Sequence, residues 1–157
     1  MIHRRSLILM AATVALLAAC GGPVRRVSEP AASIQQLTVN ADGSWKVELR
    51  LQNYSSIPMR FDSVKLAITV NTEDAGTLTG SPAISIGPES ADVVSLAFMP
   101  AGIARIAVAD ALSGRHALPY TLKGTVMATP EEAKARSFDL DVRNTLNPVP
   151  GLDGALR

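Results

Sequence analysis

The chain is poor in the groups that carry chemistry. It holds one cysteine, Cys20, so no disulfide can close within it, and two histidines, His3 and His116. Zinc needs several thiol or imidazole ligands, and this inventory excludes such a site. No Gly-x-Ser-x-Gly elbow, Ser-x-x-Lys pair or His-Glu-x-x-His helix occurs, and no glycine-rich loop could cradle a phosphate. Aromatics are few, with one Trp, two Tyr and three Phe, so a core must be built from Val, Leu, Ile and Ala. Charge of one sign is equally scarce. The formal net charge is +1, and like charges never run beyond pairs such as Arg25-Arg26, Glu73-Asp74 and Glu131-Glu132. A nucleic-acid partner would call for a clustered basic surface, which is missing. The pairs read as solvated surface.

What is present begins at the N-terminus. His3, Arg4 and Arg5 precede an apolar stretch, Ser6 to Ala19. A spanning helix needs roughly 20 such residues, and this stretch is shorter, as in the core of a secretory signal. It ends in Leu17-Ala18-Ala19-Cys20, which resembles the lipobox of bacterial lipoproteins. Small residues let a peptidase approach the extended backbone, and the thiol is the nucleophile that takes the lipid. The resemblance implies cleavage after Ala19 and a diacylglycerol on Cys20, which also accounts for an exported cysteine without a partner. Gly21, where aspartate would signal retention in the inner membrane, implies the outer membrane, facing the periplasm. Loss of Arg4 and Arg5 with the signal leaves the mature chain at net −1.

The expected organisation is a signal peptide over 1–19, a lipidated tether over 20–32, one domain over 33–144 and a flexible tail over 145–157. Gly, Pro, Arg and Ser without periodicity mark the tether; Pro148, Pro150, Gly151 and Gly154 mark the tail. Between them the dominant period is two. Trp45, Val47, Leu49 and Leu51 alternate with Lys46, Glu48, Arg50 and Gln52, the pattern of a strand buried on one side. Val64, Leu66, Ile68 and Val70 repeat it. Met59 and Phe61 stand in the opposite phase, so burying both groups requires a bulge near Asp62-Ser63. Further strands are predicted around Gln35–Asn40, Ala83–Ile86, Val94–Phe98, Leu118–Val126 and Phe138–Val142. A turn at Asn40-Ala41-Asp42-Gly43 suits a hairpin. Ala101 to Ser113 carries Ile103, Ile106, Ala107 and Leu112 near helical spacing, with Gly114 as a stop. The prediction is a mainly β chain: an immunoglobulin- or fibronectin-III-like antiparallel β-sandwich of about seven strands and one short helix.

The segment Trp45 to Asn53, followed by Ser55, Ile57-Pro58 and Val64 to Val70, is similar to the late embryogenesis abundant type 2 family, also called the water stress and hypersensitive response domain. Asn53 and Pro58 match the family's strand-ending Asn and its following Pro, whereas Tyr54 and Ser55 replace the usual Pro-Asn. Ile86 to Ser90 and Tyr120 to Gly124 extend the likeness across roughly residues 33–143. It implies a folded β-sandwich linked to stress and desiccation tolerance, without known catalysis and without a cofactor. Independently of the family, the Asn53 amide can bond backbone where a strand turns away; a ligand contact is the alternative role.

Two further groups have side chains capable of chemistry. His116 lies beside Arg115 in a polar turn, which favours a solvated loop histidine over a catalytic one. Asp139 and Asp141 are strand neighbours on one face, about 7 Å apart, but calcium takes six to eight oxygens, so they read as a wet face and not as a metal site. The expectation is a non-enzymatic, membrane-anchored envelope module that protects against stress or binds an envelope protein. A carrier of lipid or another small apolar ligand is the alternative, hinted at by Ala67, Ala83, Ala97 and Gly124, although the alternation of its strand turns Ala67 outward. The oligomeric state stays open.

Overall fold

A computed structural model describes residues 25–157. The signal peptide, Leu17, Ala18, Ala19 and Cys20 lie outside the described residues. The elements run β1 (Ala31–Val39), β2 (Trp45–Gln52), β3 (Met59–Val70), β4 (Glu73–Gly80), β5 (Ile84–Ile86) and β6 (Ala91–Phe98). They continue with α1 (Gly102–Gly114), β7 (Leu118–Pro130), β8 (Arg136–Leu146) and β9 (Ala155–Leu156). Every ladder is antiparallel. One sheet has the order β6-β2-β1-β9 and the other β4-β3-β7-β8, with β5 also pairing β3. The two face each other as a sandwich.

The period-two pattern sets the interior. Trp45, Val47, Leu49 and Leu51 from β2 meet Leu66, Ile68 and Val70 from β3, all fully buried. Each such aliphatic contributes about 1.5–3 kcal/mol by leaving water. The bulge falls where the phase change demands it, between Phe61 and Ser63 against β7. It lets Met59, Phe61 and Val64 all point inward. The residue left over, Asp62, accepts the Thr129 hydroxyl at 2.6 Å and pairs with Arg60 at 3.4 Å. Asn40 to Gly43 forms the expected turn, with Gly43 at φ 84°.

The structure differs from the sequence expectation in four places. Among the described residues nine strands form instead of about seven. β4 was missed because a bulge near Gly76 puts its buried Ala75 and Leu78 three residues apart. The tail expected to be loose folds back: Pro148 bridges Leu156, and β9 pairs with Leu37 and Thr38 of β1. Ala155 and Leu156 are fully buried, and that burial is what holds the segment down. The tether expected over 20–32 is shorter, because residues 25–30 already lie against the domain and β1 starts at Ala31. Finally, only part of the apolar set expected on α1 turns inward, Ala107 and Leu112 packing partly buried against the core. Ala104, Val108 and Ala111 are buried, while Ile103 and Ile106 are exposed. Small residues let the helix sit close to β4, where Ala101 N–H donates to Ala75 O at 3.0 Å. The helix ends at Arg115, in the left-handed conformation, one residue beyond the glycine expected to stop it.

β1 carries its own bulge between Ile34 and Gln36. There Tyr120, buried in β7 on the facing sheet, accepts the Ile34 N–H at 3.0 Å through its hydroxyl. Burial pushes the Tyr120 phenol above its usual range. Tyr120→Phe leaves a buried N–H without an acceptor, a loss of about 1–3 kcal/mol. Urea unfolding of the two proteins checks it; equal midpoints contradict it.

Candidate functional site

Strand direction gives the sandwich two distinct ends. Gln52 and Ala91 stand side by side at one end, and Trp45 and Phe98 at the other. The chain enters at the first end, and α1 lies at the second, with Arg105 reaching Gly43 in the β1–β2 turn.

The entry end is organised by Asn53. Its side chain is fully buried, and Nδ2 donates to the carbonyls of Ile57 (2.9 Å), Ile86 (3.1 Å) and Gly87 (2.9 Å). Its Oδ1 accepts the Ser55 N–H at 2.8 Å, an Asx turn. One amide thus ties the end of β2 to the loop before β3 and to the exit of β5. Buried Ser55 continues the network, its hydroxyl accepting the Ser28 N–H at 3.0 Å. Pro58 precedes β3, and its carbonyl accepts the Glu131 N–H at 2.9 Å. With its polar atoms spent on backbone, Asn53 is a clasp within the fold and leaves nothing to offer a ligand.

The other residues singled out for chemistry are on the surface. His116 Nε2 lies 3.1 Å from Asp110 Oδ2, and Nδ1 lies 3.2 Å from Ala117 O. The Ala117 carbonyl first, and Asp110 second, raise the imidazole above its ordinary value. The nearby Ser113 hydroxyl donates to Asp110 O at 3.2 Å. Asp141 is paired with Lys123 at 3.1 Å, while Asp139 stands opposite Thr125. Among the described residues no group of three His, Cys, Asp or Glu side chains could hold a metal ion. The small residues that hint at space between the sheets do not all line it: Ala83 and Ala97 are exposed, and Ala67 is exposed on the outward phase of its strand, as expected.

Two surface features were not foreseen. One is a half-open groove of about 680 Å³ between the end of α1 and the returning tail, lined by Ala109, Leu112, Pro148, Val149 and Leu152. The other is the free edge of β6. Asn53 N–H donates to Ser90 O across the β2–β6 ladder, which makes that pair a hydrogen-bonded one. Bonded pairs alternate in an antiparallel ladder, so Val93, Ser95 and Ala97 turn their N–H and C=O away from β2. Val93 N–H is taken by Asp92 Oδ1 at 2.7 Å. Ser95 and Ala97 present theirs along an edge with no Lys, Arg, Pro, Gly or bulge over eight register-true pairs. The other edges carry guards. β4 has its bulge and Gly76, whose N–H Asp74 caps at 2.8 Å. β8 carries Arg136, Asp139, Asp141 and Arg143. β1 is covered by β9 and by Tyr120. Guarding of this kind is how sheets avoid pairing with other chains, and on β6 it stops at Asp92, leaving the Ser95 and Ala97 stretch without it.

No curated protein matches the chain in sequence at a significant level. Among solved structures it is similar to a solution structure from Arabidopsis thaliana, at TM-score 0.50 and 9% identity, covering 87% of this chain and 88% of that one. A solution structure described as that of a putative late embryogenesis abundant protein gives TM-score 0.48 and 12% identity, over 98% and 88% of the two chains. A crystal structure of an Archaeoglobus fulgidus protein gives TM-score 0.42 and 12% identity, over 76% and 97%. At such identities the first likeness speaks to the fold alone. The model of the late embryogenesis abundant protein family LEA_2 matches residues 48–144, more than half of the chain and most of the sandwich just described. The chain belongs to that family.

Proposed function

We propose that the protein is a lipoprotein of the bacterial envelope, held in the membrane through lipid on Cys20, whose LEA_2 domain works without catalysis by binding an envelope protein. Leu17-Ala18-Ala19-Cys20 supports the anchor, and Gly21 supports the outer membrane with the domain in the periplasm. The observation that carries the binding role is the bare edge of β6. A strand edge with outward N–H and C=O groups accepts an extended segment of another chain, the main chain supplying affinity and alternate side chains the selectivity. Protection under water stress, the role linked to the family, would then work through a bound partner and not through a reaction.

The experiment places a photo-crosslinking residue at Ala97 in intact cells. A discrete crosslinked product is expected there and none from Lys65, which lies on the outer face of the other sheet. Ser95→Pro removes an N–H that faces away from β2, so the domain stays folded, at a cost of about 1 kcal/mol, while the product is lost. A product that survives Ser95→Pro, or no product at Ala97, contradicts this reading.

The groove beside α1 favours a second reading, a binder of a small apolar ligand. Native mass spectrometry of the domain separates the two. A co-purifying lipid that Leu152→Asp expels supports the groove; a bare mass supports the edge.

A further inference from the structure

The entry end of the sandwich carries features that the binding role does not use. The first is a short leash. Arg25 is already held on the domain, by Glu132 at 2.9 Å and Glu131 at 3.7 Å, and its guanidinium donates to Glu131 O at 3.3 Å. Arg26 is stitched to Ser56 through both main chain and side chain, and pairs with Glu89 at 3.3 Å. Only five residue steps separate Cys20 from Arg25, a covalent reach of at most about 18 Å. The second is Tyr54. It is 52% exposed and is the only exposed aromatic side chain among the described residues. Its carbonyl accepts from Arg26 Nη2 at 3.1 Å, so it stands beside the point where the chain leaves for Cys20.

We propose that Tyr54, with Arg25 and Arg26, forms a membrane-interface patch that seats this end of the sandwich on phospholipid headgroups. The proposal rests on the lipid anchor proposed above and deepens it. An aromatic ring with a polar tip is stable at the boundary between headgroups and acyl chains, with its apolar body half immersed and its hydroxyl wet. Arginine stems lie along the same boundary with their heads among the phosphates. Glu89, Glu131 and Glu132 neutralise the two guanidinium groups in part, so the seat depends on the ring more than on attraction to anionic lipid. The domain then stands on its entry end. α1, with Met99, Ile103 and Ile106 exposed, and the Ala97 end of the β6 edge are carried away from the bilayer, where a partner can reach them.

The test uses the mature protein purified from membranes and placed in phosphatidylcholine nanodiscs doped with a gadolinium-chelating lipid. Amide relaxation enhancement is read along the chain. Intact mass and retention in the disc report the anchor separately. The poles are roughly 25 Å apart along an eight-residue strand, so residues 54–57 and 131–133 should show at least about ten-fold greater enhancement than residues 103–110. Tyr54→Ser should reduce that ratio, and it leaves the Asn53 clasp intact. Protein retained in the disc with even enhancement along the chain, or a ratio untouched by Tyr54→Ser, overturns the seat while leaving the anchor standing. An unacylated Cys20 that leaves the disc overturns both.

Discussion

Asn53→Ala is expected to cost about 3 kcal/mol or more and to lower the melting temperature by roughly 10 °C. The substitution strands three carbonyls at once, those of Ile57, Ile86 and Gly87, and frees the Ser55 N–H. Each buried polar group left unsatisfied costs on the order of 1–3 kcal/mol. The effect reaches beyond one loop, because the Ile57 carbonyl lies before β3 while those of Ile86 and Gly87 lie at the exit of β5. Asn53→Asp makes a sharper test. A carboxylate there would face three carbonyl oxygens, so its pKa in the folded state must rise above the unfolded value of about 3.9. A group with a raised folded pKa contributes fully below the unfolded pKa and loses that contribution as pH rises through the folded one. The Asp variant should therefore be more stable near pH 4 than at pH 7, relative to the parent. Thermal melts at the two pH values decide it; a pH-independent difference contradicts the clasp.

Gly124→Ala should be at least as damaging. Gly124 lies in the central β3–β7 ladder opposite Leu66, at φ 151°, a conformation that side chains disfavour. A Cβ there would run into the Lys65 carbonyl oxygen and come within 3.1 Å of the Leu66 Cα. Both obstacles are backbone, so neither can swing aside. The two strands must separate or the ladder must slip, at an expected cost of about 3–5 kcal/mol or a failure to fold. Gly151→Ala is the control. It also has positive φ, at 78°, but nothing lies within 4 Å of the added carbon. It should cost only about 1 kcal/mol, the conformational part alone. Equal losses in the two variants would show that the clash is not what Gly124 avoids.

These two positions also show what the sequence could and could not display. Gly124 follows the alternating Tyr120-Thr121-Leu122-Lys123, and periodicity placed it in a strand. The need for glycine came from the neighbouring backbone, which no pattern in its own segment records. Asn53 was legible as a strand-ending amide, whereas its bonds to Ile86 and Gly87 depend on β5 returning beside β3. The strands β2, β3, β7 and β8 were plain because each buries alternate residues against one interior. β4 was hidden by a bulge, and β9 by being two residues long, stable only because Leu37 and Thr38 are there to pair with it. The helix spans what its spacing predicts to within a residue at each end, and Ala107 and Leu112 of the expected apolar set do pack against the core. Ile103 and Ile106 stay exposed, while the fully buried positions go to Ala104, Val108 and Ala111, small residues to which an apolar spacing pattern gives little weight. The free edge of β6 was invisible for a related reason. Being at an edge is a property of sheet order, and Ala91 to Phe98 would read the same in the middle of a sheet.

The seat of the sandwich on lipid and the envelope location proposed for the domain both presuppose one chemical event, acylation of a single thiol. Intact-mass spectrometry of the protein extracted from membranes measures it directly. The account predicts a polypeptide that begins at Cys20 and is heavier than its sequence by a diacylglyceryl group, with or without a further acyl chain. A chain that begins at any other residue, or an unmodified Cys20, would contradict it.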